Sequence, residues 1–239
     1  MRREEGGPTI SMRYLIVNGD DFGMSPGVNR GILEAHRRGI LTSASLMVDA
    51  LASEDAAALA ATAPDLSLGL HVELVGRADS GTGVAGDCRA QLERQIARFR
   101  QLTGRLPTHL DSHHDVHRDP AVLPHFAALA LEYGVPLRGH GPVRSCSKFY
   151  GQWGGETHLE QITVAGFERI LEDDIHDGVT ELGCHPGYVD AALRSSYRLE
   201  REAELRTLCD PAAQQALARR RIQRVSFRDV SSMLAGMPV

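Results

Sequence analysis

The sequence predicts an α/β protein built on a parallel β/α sheet or barrel, and three observations predict it. Short apolar runs alternate with amphipathic helical patterns along the chain, the signature of repeated β/α units. At 239 residues the chain can bury one large core, and α/β barrels of this size commonly form a single unit. Finally, Asp20-Asp21, His71, the histidines around His113, and His185 each fall just past the end of a predicted strand. In a parallel sheet those ends share one face, where such folds place their active sites.

The first strand spans 14–17, a buried YLIV run ending near Asp20-Asp21. Ser25 then caps a helix whose first position is Pro26, where a missing N–H costs nothing. Val28, Ile32 and Ala35 line one face of that helix, and Gly39 closes it. A strand over 42–47 pairs with an alanine-rich helix over 54–62. The third strand, 66–70, delivers His71, and a glycine-rich loop over 79–86 follows. Leu92, Ile96, Phe99 and Leu102 form the apolar stripe of the next helix, which Gly104 and Pro107 stop. The fourth strand, 108–111, carries the histidine cluster at its end.

A helix over 121–133 leads to a short strand over 135–138. Residues 140–157, with their Gly, Pro, Tyr and Trp, read as a long functional loop rather than packed structure. A helix over 167–175 precedes a strand over 180–184 that ends at His185, and 222–227 is the last strand. No internal repeat or low-complexity linker interrupts this order. Residues 13–239 are therefore expected to be one catalytic domain.

Composition narrows the function classes. Hydrophobic content of 42% and charged content of 24% are ordinary for a globular protein. Twenty-six basic against 31 acidic residues give a net charge of −5, so nucleic-acid binding has no electrostatic support. No apolar run approaches the roughly 18 residues of a membrane helix. Residues 1–12 lack the apolar centre of a signal peptide; they are expected to be a disordered extension, with Met12 an alternative start. Cys88, Cys146, Cys184 and Cys209 are scattered without a CxxC pair, which suits reduced thiols in the cytoplasm.

Four of the eleven histidines fall within residues 109–117, His109-Leu-Asp111-Ser-His113-His114-Asp115-Val-His117. Imidazole beside carboxylate is what a divalent metal prefers. If that segment stays extended, Asp111, His113 and Asp115 share one face. His113 emerges first from the strand and is the candidate ligand. His109, Asp111, His114, Asp115 and His117 then orient ligands or touch substrate, unless the run is only a solvated polar loop. Asp20 and Asp21 point opposite ways in an extended chain, so one can bind metal while the other serves as base; a plain Asx turn is the alternative. His71 follows an apolar run, as either a ligand or a hydrogen-bonded core residue. Pro186 holds His185 extended and can aim it as a proton donor, or it sits in an ordinary turn. Arg138 can steady an active-site carboxylate, touch substrate, or form a surface ion pair.

Taken together, VNGDDFG, GLHVEL, THLDSHHDVHRDP and ELGCHPG resemble, in that order, the YdjC-like carbohydrate deacetylases, which include the chitooligosaccharide deacetylases. The resemblance runs from about residue 13 to the C-terminus, and the segments Tyr197…Arg201-Glu-Ala-Glu-Leu205 and Ser226-Phe-Arg-Asp229 share it. It implies a distorted parallel β/α barrel like the NodB-type polysaccharide deacetylases. It also implies one divalent cation (Mg2+ or Zn2+, with Mn2+ or Co2+ as options) on Asp21, His71 and His113, with Asp20 as base and His185 as acid. Two departures stand out. The family's HHHVH run has Asp115 in place of its third histidine, and the alanine of NADDFG is Gly19. The stretch between His71 and Asp87 is also shorter than in the chitooligosaccharide enzymes.

The expected reaction is removal of an acetyl group from an N-acetylated sugar, with Trp153, Tyr150 or both stacking on the pyranose ring. The expected partners are that sugar and, in a homo-oligomer, further copies of the chain. Two other classes compete: a metal phosphoesterase, which commonly uses two metals, and a non-catalytic metal- or sugar-binding protein, which needs neither Asp20 nor His185.

Overall fold

The computed structural model describes residues 12–75 and 87–235. The glycine-rich loop over 79–86 and the expected N-terminal extension, Met12 apart, lie outside these residues. β1 (Arg13–Phe22) runs farther than the YLIV stretch and carries Asp20 and Asp21 within it. It is the central strand, with β-neighbours on both sides, so its residues from Leu15 onward are buried. α1 (Pro26–Arg38) starts as expected, with Ser25 Oγ accepting the Val28 N–H, and ends in the basic turn His36-Arg37-Arg38. β2 (Ser43–Leu46), α2 (Ser53–Ala61) and β3 (Ser67–Val72) follow; His71 is the next-to-last residue of its strand rather than beyond it. α3 (Cys88–Thr103) stops at Gly104, whose φ of 70° is the left-handed cap conformation glycine permits.

β4 (Leu110–Ser112) gives way to a 3-10 turn over His113–Arg118 and then α4 (Leu123–Tyr133). The strand expected over 135–138 is absent among the described residues: Leu137 alone bridges Leu110 in parallel. Pro136 has no N–H to extend a ladder, and Gly139, at φ 68°, turns the chain away. The expected long loop over 140–157 instead contains β5 (Arg144–Cys146) and the hairpin of β6 (Gln152–Trp153) with β7 (Glu156–Thr157). Next come α5 (Val164–Asp173) and β8 (Gly178–Cys184), which delivers His185 one residue past its end. α6 (Leu199–Cys209) and α7 (Pro211–Arg219) were not anticipated. Buried Glu200, Arg201 and Glu204 interrupt the apolar stripe that marks a helix in sequence. β9 (Ile222–Arg224) is shorter than expected, because Phe227 already belongs to α8 (Phe227–Ala235).

The sheet order is β4-β3-β2-β1-β8-β5, with every pairing parallel. β9 pairs with β1 at Arg13–Leu15, while β2 takes the far end of the same strand from Asn18. Among the described residues the path does not close between β4 and β5, so the sheet is a curled half-barrel wrapped in helices. Alternation along β1 sends Leu15 and Val17 into the large core beneath the helices. Ile16 faces the inside of the curl, in a small cluster with Val143, Val179, Val225, Phe227 and Val230. Asn18 and Asp20 continue the Ile16 face, so polar groups stand above this apolar plug toward the C-terminal strand ends. Among the described residues no helix is long and apolar enough to cross a membrane.

Candidate active site

Strict alternation would send Asp21 away from Asp20. The backbone prevents it: the β1–β2 register slips between Gly19 and Phe22, and Asp21 has φ 66°. Such a bulge re-aims a side chain, and the left-handed conformation costs a non-glycine residue roughly 1–2 kcal/mol. Both carboxylates consequently face the same cleft.

Asp21 Oδ1 lies 3.4 Å from His71 Nε2 and 3.1 Å from His113 Nδ1. One donor atom from each of these residues falls within 4.8 Å of the other two. Asp21 Oδ2 accepts from Arg201 Nη2 at 2.6 Å. Burial by itself would raise the Asp21 pKa, but Arg201 together with His113, His71 and His185 outweighs it and holds the group well below the usual range. His71 Nδ1 donates to Asp111 Oδ1 at 2.8 Å, which turns Nε2 toward Asp21. Burial would lower the His71 pKa, yet Asp111, with Asp21 and Asp20, raises it to about 10. The residues fit a divalent ion on two grounds. Asp21 Oδ1 is buried without accepting a well-formed hydrogen bond, and two imidazole nitrogens beside a carboxylate oxygen suit such an ion.

Asp20, His71 and Asp111 are also close enough to hold a cation. That position is already served by protein charge. The Arg138 guanidinium meets Asp20 through two bonds of 2.7 Å, Asp111 at 2.8 Å and Glu181 at 2.7 Å. Arg138 thus pairs with three buried carboxylates and is not in a surface pair. Burial pushes Asp20 up, and Arg138 with His71 outweighs it and leaves the pKa below the ordinary value. Glu181 stays raised, to about 7, because burial exceeds its share of Arg138.

His185 lines the same cleft, its Nε2 3.9 Å from Asp20 Oδ2. Its ring lies edge-on to Tyr150 and Tyr197, at 5.5 Å centroid separations. Burial lowers its pKa against the pull of Asp20 and Asp21, so its protonated form is a stronger acid than free imidazolium.

The remaining cluster residues divide by position. The segment does not stay extended: His114 and Asp115 have φ 56° and 53°. Asp115 therefore does not share a strand face with Asp111 and His113; it lines the cleft and pairs with Arg118 at 3.2 Å. The His114 ring lies against His113, tilted by 42° at 3.8 Å between ring centroids. His117 is buried behind the cleft, its Nδ1 2.7 Å from Ser112 Oγ and its Nε2 3.2 Å from the Arg138 carbonyl. His109 is likewise buried, stacked 3.8 Å over Phe227 across the bare face of Gly69.

The cleft encloses about 330 Å³ and takes its aromatic lining from Phe149, Tyr150 and Tyr197. Trp153 does not belong to it. It projects from the β6–β7 hairpin, half exposed and stacked on His158 at 3.7 Å. A wider hollow, about 890 Å³, lies among α1, α2 and the β9–α8 turn, and is lined by Arg37, Arg224 and Arg228 rather than by these groups.

Sequence reasoning missed several supports. Ser45 Oγ donates to Asp111 Oδ2 at 2.5 Å, Glu181 anchors Arg138, and α6 contributes Arg201 and Glu204. The last two fall in a segment that resembled the family without suggesting a role.

The comparisons agree with this architecture. A carbohydrate deacetylase of Geobacillus stearothermophilus is 39% identical, covering 91% of this chain and 98% of that protein. A chitooligosaccharide deacetylase of Escherichia fergusonii is 35% identical, covering 91% and 99%. Among solved structures, a putative cellobiose-phosphate cleavage protein of Enterococcus faecalis superposes with TM-score 0.77 at 26% identity, over 92% of this chain and 99% of that one. A family 4 acetyl xylan esterase of Clostridium thermocellum shares the fold, with TM-score 0.57 at 12% identity over 95% and 93%. The family model described as YdjC-like protein matches residues 14–219, and with these full-length relatives it shows that the chain belongs to the YdjC-like family.

Proposed function

We propose that this protein is a metal-dependent deacetylase of N-acetylated sugars or oligosaccharides. The observation that carries the reading is the convergence of Asp21, His71 and His113 on one side of a cleft, with Asp20 and His185 3.9 Å apart beside them. The names of the relatives, carbohydrate and chitooligosaccharide deacetylase, supply the substrate class. Asp21, His71 and His113 would hold the divalent ion, which would supply Lewis acidity toward the acetamide carbonyl and the attacking water. Asp20, kept ionised by Arg138, accepts the proton that water loses. His185, across from Asp20, gives a proton to the departing amine nitrogen as the C–N bond breaks. Water and amide thus become acetate and a free amino sugar. Tyr150, stacked on Tyr197 at 4.6 Å, offers the sugar ring a flat face within the cleft. Four free cysteines favour a reducing compartment, in keeping with a cytoplasmic enzyme.

Acetate release from N-acetylglucosamine and its oligomers tests the reading. Release should be abolished by EDTA and restored by Mg2+, Zn2+, Mn2+ or Co2+. No release from any acetylated sugar, with hydrolysis of p-nitrophenyl phosphate instead, would replace it with a phosphoesterase.

A further inference from the structure

We propose that α6 sets the spacing between the metal-holding and proton-donating halves of the site, with Arg201 and Glu204 as its positioning residues. The inference rests on the deacetylase reading and extends it to a helix outside the catalytic set. Residues 201 and 204 are one turn apart and share a helix face.

Arg201 is 1% exposed and reaches both halves at once. Its Nη2 donates to Asp21 Oδ2 at 2.6 Å, its Nη1 to the His185 carbonyl at 3.4 Å, and its Nε to the Tyr197 carbonyl at 3.1 Å. Filling Oδ2 leaves Oδ1 turned to His71 and His113, so Arg201 decides which carboxylate oxygen is offered to an ion. Glu204 accepts the His185 N–H with one oxygen and the Tyr197 hydroxyl with the other. That hydroxyl accepts the Gly151 N–H at 2.8 Å, next to Tyr150. The backbone of His185 is therefore gripped at both its N–H and its carbonyl by one helix, and the same helix holds Asp21. A buried arginine and a buried glutamate are expensive to fold around, and an apolar pair would serve packing alone better. Their contacts run to the Asp21 carboxylate, the His185 backbone and Tyr197.

Arg201→Lys keeps the charge but concentrates its donors at one point, losing the planar fork. In the full chain it should weaken Mn2+ binding, measured by calorimetry on the metal-free protein, about 10- to 100-fold, and lower kcat as well. Glu204→Gln loses one acceptor; it should lower kcat about tenfold or more with KM little changed. Its Mn2+ affinity should stay within about twofold of the parent. An unchanged Mn2+ affinity in Arg201→Lys overturns the proposal. So does a loss in Glu204→Gln as large as that in Arg201→Lys, which would mean both merely loosen the fold. If Arg201→Lys does not fold, Glu204→Gln decides alone, and a parental kcat overturns the claim. A parent that binds Mn2+ but releases no acetate removes the deacetylase reading, and the affinities still judge α6. A parent that binds no divalent ion removes both.

Discussion

Asp20 and Asp21 are neighbours in sequence, both buried and both paired with a buried arginine, yet their surroundings differ in one respect. Arg138 takes both oxygens of Asp20 and shares itself with Asp111 and Glu181. Arg201 takes only Oδ2 of Asp21 and leaves Oδ1 between two imidazoles. Free coordination capacity, more than charge, separates a carboxylate suited to a metal from one suited to a proton. The bulge at the end of β1 makes the difference possible, since it lets consecutive residues serve two arginines on different elements.

The hardest test of this contrast removes the open oxygen. Asp21→Ala should lose metal binding in calorimetry and acetate release together, with activity down about a thousandfold or more. His113→Ala should behave likewise. Retained metal affinity in Asp21→Ala would end the assignment. Asp20→Asn should separate the two functions: Mn2+ affinity near that of the parent, kcat down by about 10²- to 10⁴-fold. Full turnover in Asp20→Asn removes Asp20 from the chemistry.

Much of this was legible in the sequence, for physical reasons. Apolar runs and caps such as Ser25-Pro26 report strands and helices because burial and local hydrogen bonding set them. The convergence of residues 20, 71, 113 and 185 followed from the shared face of parallel strand ends. What stayed hidden depends on tertiary partners. The left-handed turn at Asp21, and those at His114 and Asp115, break an alternation rule that any sequence reading must assume. Arg201 and Glu204 look like solvent residues until Asp21 and His185 are placed over them. Trp153 illustrates the converse: a lone tryptophan in a loop suggested sugar stacking, whereas its hairpin points it at His158.

Removing the other arginine probes the opposite side of the contrast. Arg138→Met leaves Asp20, Asp111 and Glu181 buried without their shared cation, the kind of break that costs about 3–5 kcal/mol. In a chain of this size, thermal unfolding should fall by roughly 10 °C or more. Saturating Mn2+ should not restore it, because the proposed ion site is built on Asp21 rather than on these three groups. Full recovery with metal would show that the ion sits in the Asp20–His71–Asp111 cluster instead.

The smallest effect is a pH signature of the two buried glutamates, one beside each arginine. Burial raises Glu181 to about 7 despite Arg138, and raises Glu204 to about 8 despite the groups that hydrogen-bond to it. A carboxyl raised in the folded state keeps its proton there while the unfolded chain has lost it. The stability each contributes is present below the unfolded value of about 4.5 and is lost as pH climbs through the folded one. Each therefore adds a declining slope of at most about 1.4 kcal/mol per pH unit to the metal-free protein. Urea unfolding in EDTA from pH 5 to 9 reads it directly. Glu181→Gln should remove the decline up to about pH 7, and Glu204→Gln should remove one that persists to about pH 8. Identical curves for the two variants would mean that the two glutamates titrate alike, and the electrostatic difference between the Arg138 and Arg201 sides would be withdrawn.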